Sequence, residues 1–293
     1  MAAAGNSNSQ GKKDRREQAR ETARLEREAQ KKRDRRNKIF LQGGIVLGVL
    51  AIVAVIALVL VNVNKPAGPG PLNMASDGIL LSGSKMNAVK TPATPANATP
   101  VVTDKKKHKD TVNIVTYIDY QCPYCRQFES TNAEQIASLV AAGKATVEIH
   151  PISFLDASSL GNKYSTRAAN AAACVANYDP NNFYAVNSAL FANQPAEQTS
   201  GKTDAQIISV LKDAGSASSQ ITSCITSQKF VPWVGAATER IDTSGRTKVF
   251  KGVANTPVAF GGTPTVFVDG DLYTGSITDA TAFAQFVASH TPR

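Results

Sequence analysis

Tyr117-Ile118-Asp119-Tyr120-Gln121-Cys122-Pro123-Tyr124-Cys125 lies where an apolar, β-branched run gives way to a helix-like stretch. Residues 111–119 (TVNIVTYID) carry the signal of a buried strand. Residues 126–142 read as a helix that stops at Gly143. Two cysteines at such a strand-to-helix junction have a physical logic. The first sits at the helix N-terminus, where free N–H groups and the helix dipole favour a thiolate, and the second lies within bonding reach one turn on. Cys122 is therefore expected to be the exposed nucleophile and Cys125 the shielded resolving thiol, with Pro123 in the first helical turn, where its missing N–H costs nothing.

Downstream, residues 145–154 form a second strand. Residues 158–252 read as helices interrupted at Asp179-Pro180, Gln194-Pro195, Gly215 and Gly245. Gly262-Thr263-Pro264-Thr265 then leads into a strand at 266–268, a turn at Asp269-Gly270, a short strand at 272–274 and a helix over 279–289. The order is β, CxxC-helix, β, helical block, β-hairpin, helix, which is an α/β class. A cis-proline loop at Thr263-Pro264 facing the CxxC would offer backbone groups to an incoming peptide and no interfering thiol or amine. Zinc sites also use CxxC, but want two further ligands at similar spacing. Cys174 and Cys224 stand alone about 50 residues apart and His108, His150 and His290 are scattered, so neither a metal nor a cofactor is expected.

Upstream, the chain reads as delivery. Its net charge of +9 would suggest nucleic acid if it were spread over the fold. Residues 12–38, however, hold 13 Lys/Arg against 6 Asp/Glu, and the remainder, with 19 and 17, is close to neutral. Residues 1–38 are read as a basic cytoplasmic tail, with no nucleic-acid partner. Residues 39–64 carry no charge, and 39–61 are almost wholly Leu, Ile, Val, Ala and Gly, long enough to cross a bilayer as one helix. The basic cluster precedes this span, so the positive-inside rule puts the N-terminus in the cytoplasm and the rest outside. The run exceeds the 7 to 15 apolar residues usual in a cleaved signal peptide, which favours an uncleaved signal anchor. Residues 62–109, rich in Pro, Ala and Thr, read as an extended linker, and the folded domain is expected over 110–290. Four cysteines beyond a membrane segment would meet an oxidising compartment, where three pairings are possible.

The stretch from Tyr117 to Cys125, together with Gly262-Thr263-Pro264-Thr265, resembles the DsbA-like thiol:disulfide oxidoreductases, in the membrane-anchored form of actinobacteria. The resemblance covers roughly residues 110–290. It implies a thioredoxin-like fold with an inserted α-helical domain at about 158–252, preceded by one transmembrane helix. It further implies Cys122 and Cys125 as redox pair, Pro264 as the cis-proline, and reduced or unfolded exported proteins as substrates. Reoxidation would fall to a membrane partner of DsbB-like or VKOR-like type. Asp119, just before the loop, is either a buried acid mediating proton transfer from Cys125 or a strand-end turn residue. Cys174 and Cys224 are read as a structural disulfide, the alternative being two buried free thiols. One departure matters: strongly oxidising members carry Pro-His between the cysteines, where this chain has Pro123-Tyr124. That leaves a reductase or isomerase of the same fold as an alternative, and beyond it a non-catalytic stalked module with a structural CxxC.

Overall fold

A computed structural model describes residues 21, 24, 27, 30–33, 68–96, 98–108, 110–241, 253–256 and 258–290. It divides into two units, 1–65 and 66–293. In the first, the described positions are helical and exposed. The span expected at 39–61 lies outside the described residues, among which no helix is long and apolar enough to cross a membrane.

The second unit is a six-stranded mixed sheet in the order β2-β1-β4-β3-β5-β6, with helices on it. Strand β3 (Val112–Ile118) is buried at all seven positions, because it is apolar on both faces. Val112, Ile114 and Ile118 join the main core, while Val115 and Tyr117 pack with Ile152, Ile241 and Phe267 in a second cluster. β3 runs parallel to β4 (Ala145–Pro151) and antiparallel to β5 (Thr265–Val268), which pairs with β6 (Asp271–Leu272). Helix α1 (Pro123–Ala141) presents Cys125, Phe128, Asn132, Ile136 and Val140, a three-to-four-residue repeat, to the core. Phe128 meets Phe283 of the last helix edge to face, ring centroids 5.3 Å apart.

Between β4 and β5 comes the helical insertion: α2 (Tyr164–Tyr178), α3 (Phe183–Ala192), α4 (Asp204–Asp213), α5 (Ser219–Thr226) and α6 (Val231–Ile241). The chain closes with α7 (Ala280–Ser289). Thirteen of the 15 residues of α2 are buried, and its run of alanines lets the other insertion helices approach closely. The expected break at Asp179-Pro180 separates α2 from α3, and Gly215, at φ +85°, ends α4; the one expected at Gly245 lies outside the described residues.

The linker expected over 62–109 is corrected. From Gly68 onward this stretch packs on the domain, and it contains β1 (Ile79–Ser82) and β2 (Asn87–Ala88). β1 adds antiparallel to β4, Ile79 opposite Ile149 and Leu81 opposite Val147, and covers an edge that β4 would otherwise leave open. Side chains fasten the same stretch elsewhere. Ser76 bonds Glu148 on β4, and Asp77 takes both Arg240 Nε and a terminal Arg240 nitrogen at 2.6 Å. Apolar Ile79-Leu80-Leu81 is the local cause: three such residues are stable only when covered.

Candidate functional site

Strand β3 ends at Ile118, and the chain turns through Asp119 to Gln121 before entering α1. Cys122 is the N-cap residue, with extended backbone (φ −74°, ψ 117°), and Pro123 occupies the first turn. No side chain caps the helix, so its free N–H groups face the sulfur. Opposite lies the loop before β5, where the Thr263–Pro264 peptide is cis and the Cys122 thiol donates to the Thr263 carbonyl oxygen at 3.1 Å. Cys122, Cys125, Thr263 and Pro264 are thus brought together from chain positions about 140 residues apart.

Both thiols are free and both residues are buried. Cys122 is 3% exposed, where the sequence predicts an exposed nucleophile, because the Thr263-Pro264 loop lies over it; the inequality of the two is one of ionisation. Cys122 is lowered to about 7, first by its hydrogen bond with Cys125, then by the Thr263 side chain and the backbone N–H groups of Cys125 and Tyr124, all acting against burial. When Cys122 ionises it can no longer donate to the Thr263 carbonyl. The Thr263 hydroxyl, buried and without another partner among the described residues, then supplies a donor to the thiolate. Burial holds the Cys125 thiol well above its usual value, and the hydrogen bond to Cys122 adds to this. One sulfur is therefore ready to be attacked or to leave, and the other is shielded. Tyr124 between them is 60% exposed and lies on the approach to the pair.

Asp119 is fully buried and also closes the turn after β3, its carbonyl oxygen accepting from Cys122 N at 3.0 Å. Its Oδ1 accepts from Gln121 N (2.8 Å) and the Ser165 hydroxyl (2.7 Å), and its Oδ2 from Leu155 N (2.8 Å). One carboxylate thereby ties the active-site loop to β4's exit and to α2. Burial raises it to about 6 in spite of these three donors. A raised carboxyl stabilises the fold fully only below its unfolded pKa near 3.9, and that contribution is lost as pH rises through about 6. Asp119→Asn should therefore gain on wild type with pH, its relative stability at about pH 8 exceeding that at about pH 4 by about 2 kcal/mol. Urea midpoints at the two pH values measure this, since the bond Asn loses at Leu155 N is a constant offset.

Gln194 belongs to no sequence motif, and Gln121 stands in the Tyr117–Cys125 stretch without a role. Gln194 Nε2, just after α3, donates to the carbonyl oxygens of Tyr120 (3.1 Å) and Cys122 (2.9 Å), and Gln121 Nε2 donates to the Ser158 carbonyl (3.2 Å). In the sequence Gln194-Pro195 marks only a helix break; its contact spans 72 positions. Cys174 and Cys224 lie away from the loop and are joined in a disulfide linking α2 to α5, so neither is available as a metal ligand.

A family model described as thioredoxin matches residues 107–286. The reduced form of the disulfide bond oxidoreductase DsbG from Mycobacterium tuberculosis is similar over 77% of this chain and 91% of that one, with 25% identity and a TM-score of 0.54. Oxidised BdbD from Bacillus subtilis covers 78% of this chain and 99% of its own at 16% identity and a TM-score of 0.52, a likeness of fold alone. A third relative is the serine/threonine-protein kinase PknE of Mycobacterium tuberculosis (strain H37Rv), 38% identical over 110 residues; these make up 36% of this chain and 19% of the kinase. A sheet with the CxxC helix on it, a cis-proline loop against the first thiol and a family match over most of the chain lead to one conclusion: the chain belongs to the thioredoxin family.

Proposed function

We propose that this DsbA-like protein thiol:disulfide oxidoreductase works outside the cytoplasm, held to the membrane by the apolar span at 39–61, and forms disulfides in reduced or unfolded exported proteins. The observation that carries the reading is the inequality of the two thiols beneath the Thr263 carbonyl: Cys122 lowered to about 7, Cys125 buried and raised. The Cys174–Cys224 disulfide supports the compartment, because such bonds persist where the surroundings are oxidising.

In the proposed cycle a substrate thiolate attacks Cys122 Sγ of the Cys122–Cys125 disulfide. A substrate–Cys122 bond forms, the Cys122–Cys125 bond breaks, and the electron pair passes to Cys125, which takes up a proton. A second substrate thiolate attacks the substrate sulfur of the mixed disulfide, and Cys122 leaves as a thiolate. Two substrate thiols are oxidised and one enzyme disulfide is reduced. Thr263 and Pro264 offer the substrate backbone, Pro123 and Asp119 hold the loop, and Tyr124 meets the substrate at the surface. A membrane protein of DsbB-like or VKOR-like type would reoxidise the pair.

One observation favours reductase or isomerase action instead. A Cys122 pKa of about 7 is close to thioredoxin's, far from the roughly 3.5 of the strong oxidant DsbA, so the thiolate contributes little to oxidising power at neutral pH. Oxidative refolding of a reduced model substrate, with equilibration against glutathione, separates the readings. The oxidase reading expects stoichiometric disulfide transfer and a potential toward about −120 mV; a value near −270 mV selects the reductase. A Cys122→Ala variant as active as wild type rejects both.

A further inference from the structure

The groups that lower Cys122 most are all neutral: Cys125 first, then the Thr263 side chain and the backbone N–H groups of Cys125 and Tyr124. An ion acts on a thiolate from several ångströms away in almost any direction, whereas a neutral donor acts only when it is close and aligned. The chemistry of this sulfur therefore depends on where the backbone of Cys122 is held. Its N–H donates to the Asp119 carbonyl at 3.0 Å, inside the loop, and its carbonyl accepts the first bond of α1 from Arg126 N at a long 3.2 Å. The remaining support comes from the insertion.

Gln194 Nε2 carries two hydrogens, and the carbonyl oxygens of Tyr120 and Cys122, at 3.1 and 2.9 Å, take both. The carbonyls before and after Gln121 thus hang from one amide. That amide is firmly carried. Gln194 N donates to the Phe191 carbonyl at 3.2 Å in the last turn of α3, and Pro195 disfavours helical backbone at Gln194. Phe191 packs on the Tyr120 ring, centroids 5.1 Å apart, and Asn187 of the same helix accepts from the Tyr120 hydroxyl at 3.0 Å. We propose that Gln194 is a positioning residue for the exchange at Cys122, fixing the backbone of the thiol residue so that its sulfur stays aligned with its donors and in line with Cys125. This role rests on the reading of Cys122 and Cys125 as the redox pair.

The other contacts from the insertion end on side chains. Ser165 meets the Asp119 carboxylate and Asn187 the Tyr120 hydroxyl, so each reaches Cys122 only through a neighbour. Gln194 ends on the carbonyl of the thiol residue itself. That oxygen is the negative end of a dipole in the same residue as the sulfur, and a donor that covers it lessens its repulsion of the thiolate. Two consequences follow from losing the donor. Cys122 ionises at higher pH, and Cys125 closes on it more slowly, because misplacing a reacting atom by about 1 Å can cost on the order of 10²-fold in rate.

Gln194→Met keeps the length of the side chain and removes the donor, and two measurements on the reduced full-length protein separate positioning from stability. The first follows the ultraviolet absorbance of the Cys122 thiolate against pH. Wild type should titrate at about 7 and Gln194→Met about one unit higher. The second adds one equivalent of dithiobis-nitrobenzoate, whose two chromogenic thiolates leave in turn. Cys122 displaces the first; the Cys125 thiolate, its proton gone to the buffer, displaces the second from Cys122 as the Cys122–Cys125 bond forms. The second phase should slow by about tenfold in Gln194→Met. The first should slow by only about twofold at pH 7, because the loss of thiolate is partly offset by higher nucleophilicity. Asn193→Ala, which removes a bond to the Ala189 carbonyl within α3, should change neither phase nor the titration. Gln194→Asn, one methylene too short to hold both carbonyls, should move both readings the same way by less, and it decides the matter if Gln194→Met fails to fold. Folded variants in which the titration and the second phase are unchanged overturn the role of Gln194, whatever their urea midpoints. A wild type that never releases the second thiolate overturns the redox pair itself, and this inference with it.

Discussion

Cys125→Ser should turn a catalyst into a trap: turnover falls on the order of 10³-fold or more, and Cys122 accumulates in mixed disulfides. The expectation follows from the inequality of the two sulfurs. At pH 7 a thiol with a pKa of about 7 is about half ionised, against roughly 3% for an unperturbed thiol near 8.5. The gain in attack rate is smaller, because nucleophilicity falls with pKa: a shift of about 1.5 units gives back roughly fivefold, leaving about threefold. What Cys125 contributes is therefore not the activation of Cys122 alone: it is the other half of the disulfide that the proposed cycle transfers and, when Cys122 attacks a substrate disulfide, the escape from the mixed disulfide that results. Cys125 lies within hydrogen-bond reach of Cys122, and burial keeps its thiol protonated while Cys122 ionises. With serine there, Cys122 still attacks substrate disulfides and expels a substrate thiolate, yet the bond it forms has no internal competitor. Non-reducing gels of cells expressing the full chain read the result. Bands that persist in Cys125→Ser, vanish on reduction and are missing in Cys122→Ala support the assignment; equal bands in both variants sink it.

Local pattern made one part of this fold legible and hid another. The strand expected at 111–119 is Val112–Ile118, the helix after it is Pro123–Ala141, and the hairpin and last helix fall within a few residues of their expected places. These elements announce themselves through runs of one periodicity bounded by Gly, Pro or Asp, and the cysteines mark their junction. β1 failed because it is a four-residue strand inside a stretch whose Pro, Thr and Asn content argues for a linker. What makes it a strand is the open edge of β4, supplied some 70 positions later. The site divides in the same way. Cys122, Cys125 and the Thr263-Pro264 step are readable from spacing, whereas Gln194 reaches the Cys122 carbonyl, and Asn187 the Glu129 carboxylate, only after the insertion has folded over α1. The bonds of Asp119 to Ser165 and Leu155, 46 and 36 positions away, are likewise invisible in the sequence.

These contacts give the insertion a second purpose besides covering the sheet, because Ser165, Asn187 and Gln194 all reach the active-site loop or its helix from it. Its rigidity therefore bears on the chemistry, and α2 is where that rigidity is concentrated. Replacing both Cys174 and Cys224 by alanine should cost about 4 kcal/mol, the loop-closure entropy returned to the unfolded chain when a bridge spanning 50 positions is removed. The two missing sulfur atoms also leave a small void between α2 and α5, where both residues are buried, and this adds to the loss. Unfolding should stay a single transition at a lower urea midpoint, because α2 packs against every other helix of the insertion. Replacing Cys174 alone should be worse during oxidative folding. It leaves Cys224 as a third thiol able to pair with Cys122, and the redox centre is lost in that fraction of chains. Urea midpoints of the double variant and non-reducing peptide maps of the single variant give the two readouts. A loss under about 1 kcal/mol would mean that α2 holds the insertion by packing alone, without help from the bridge.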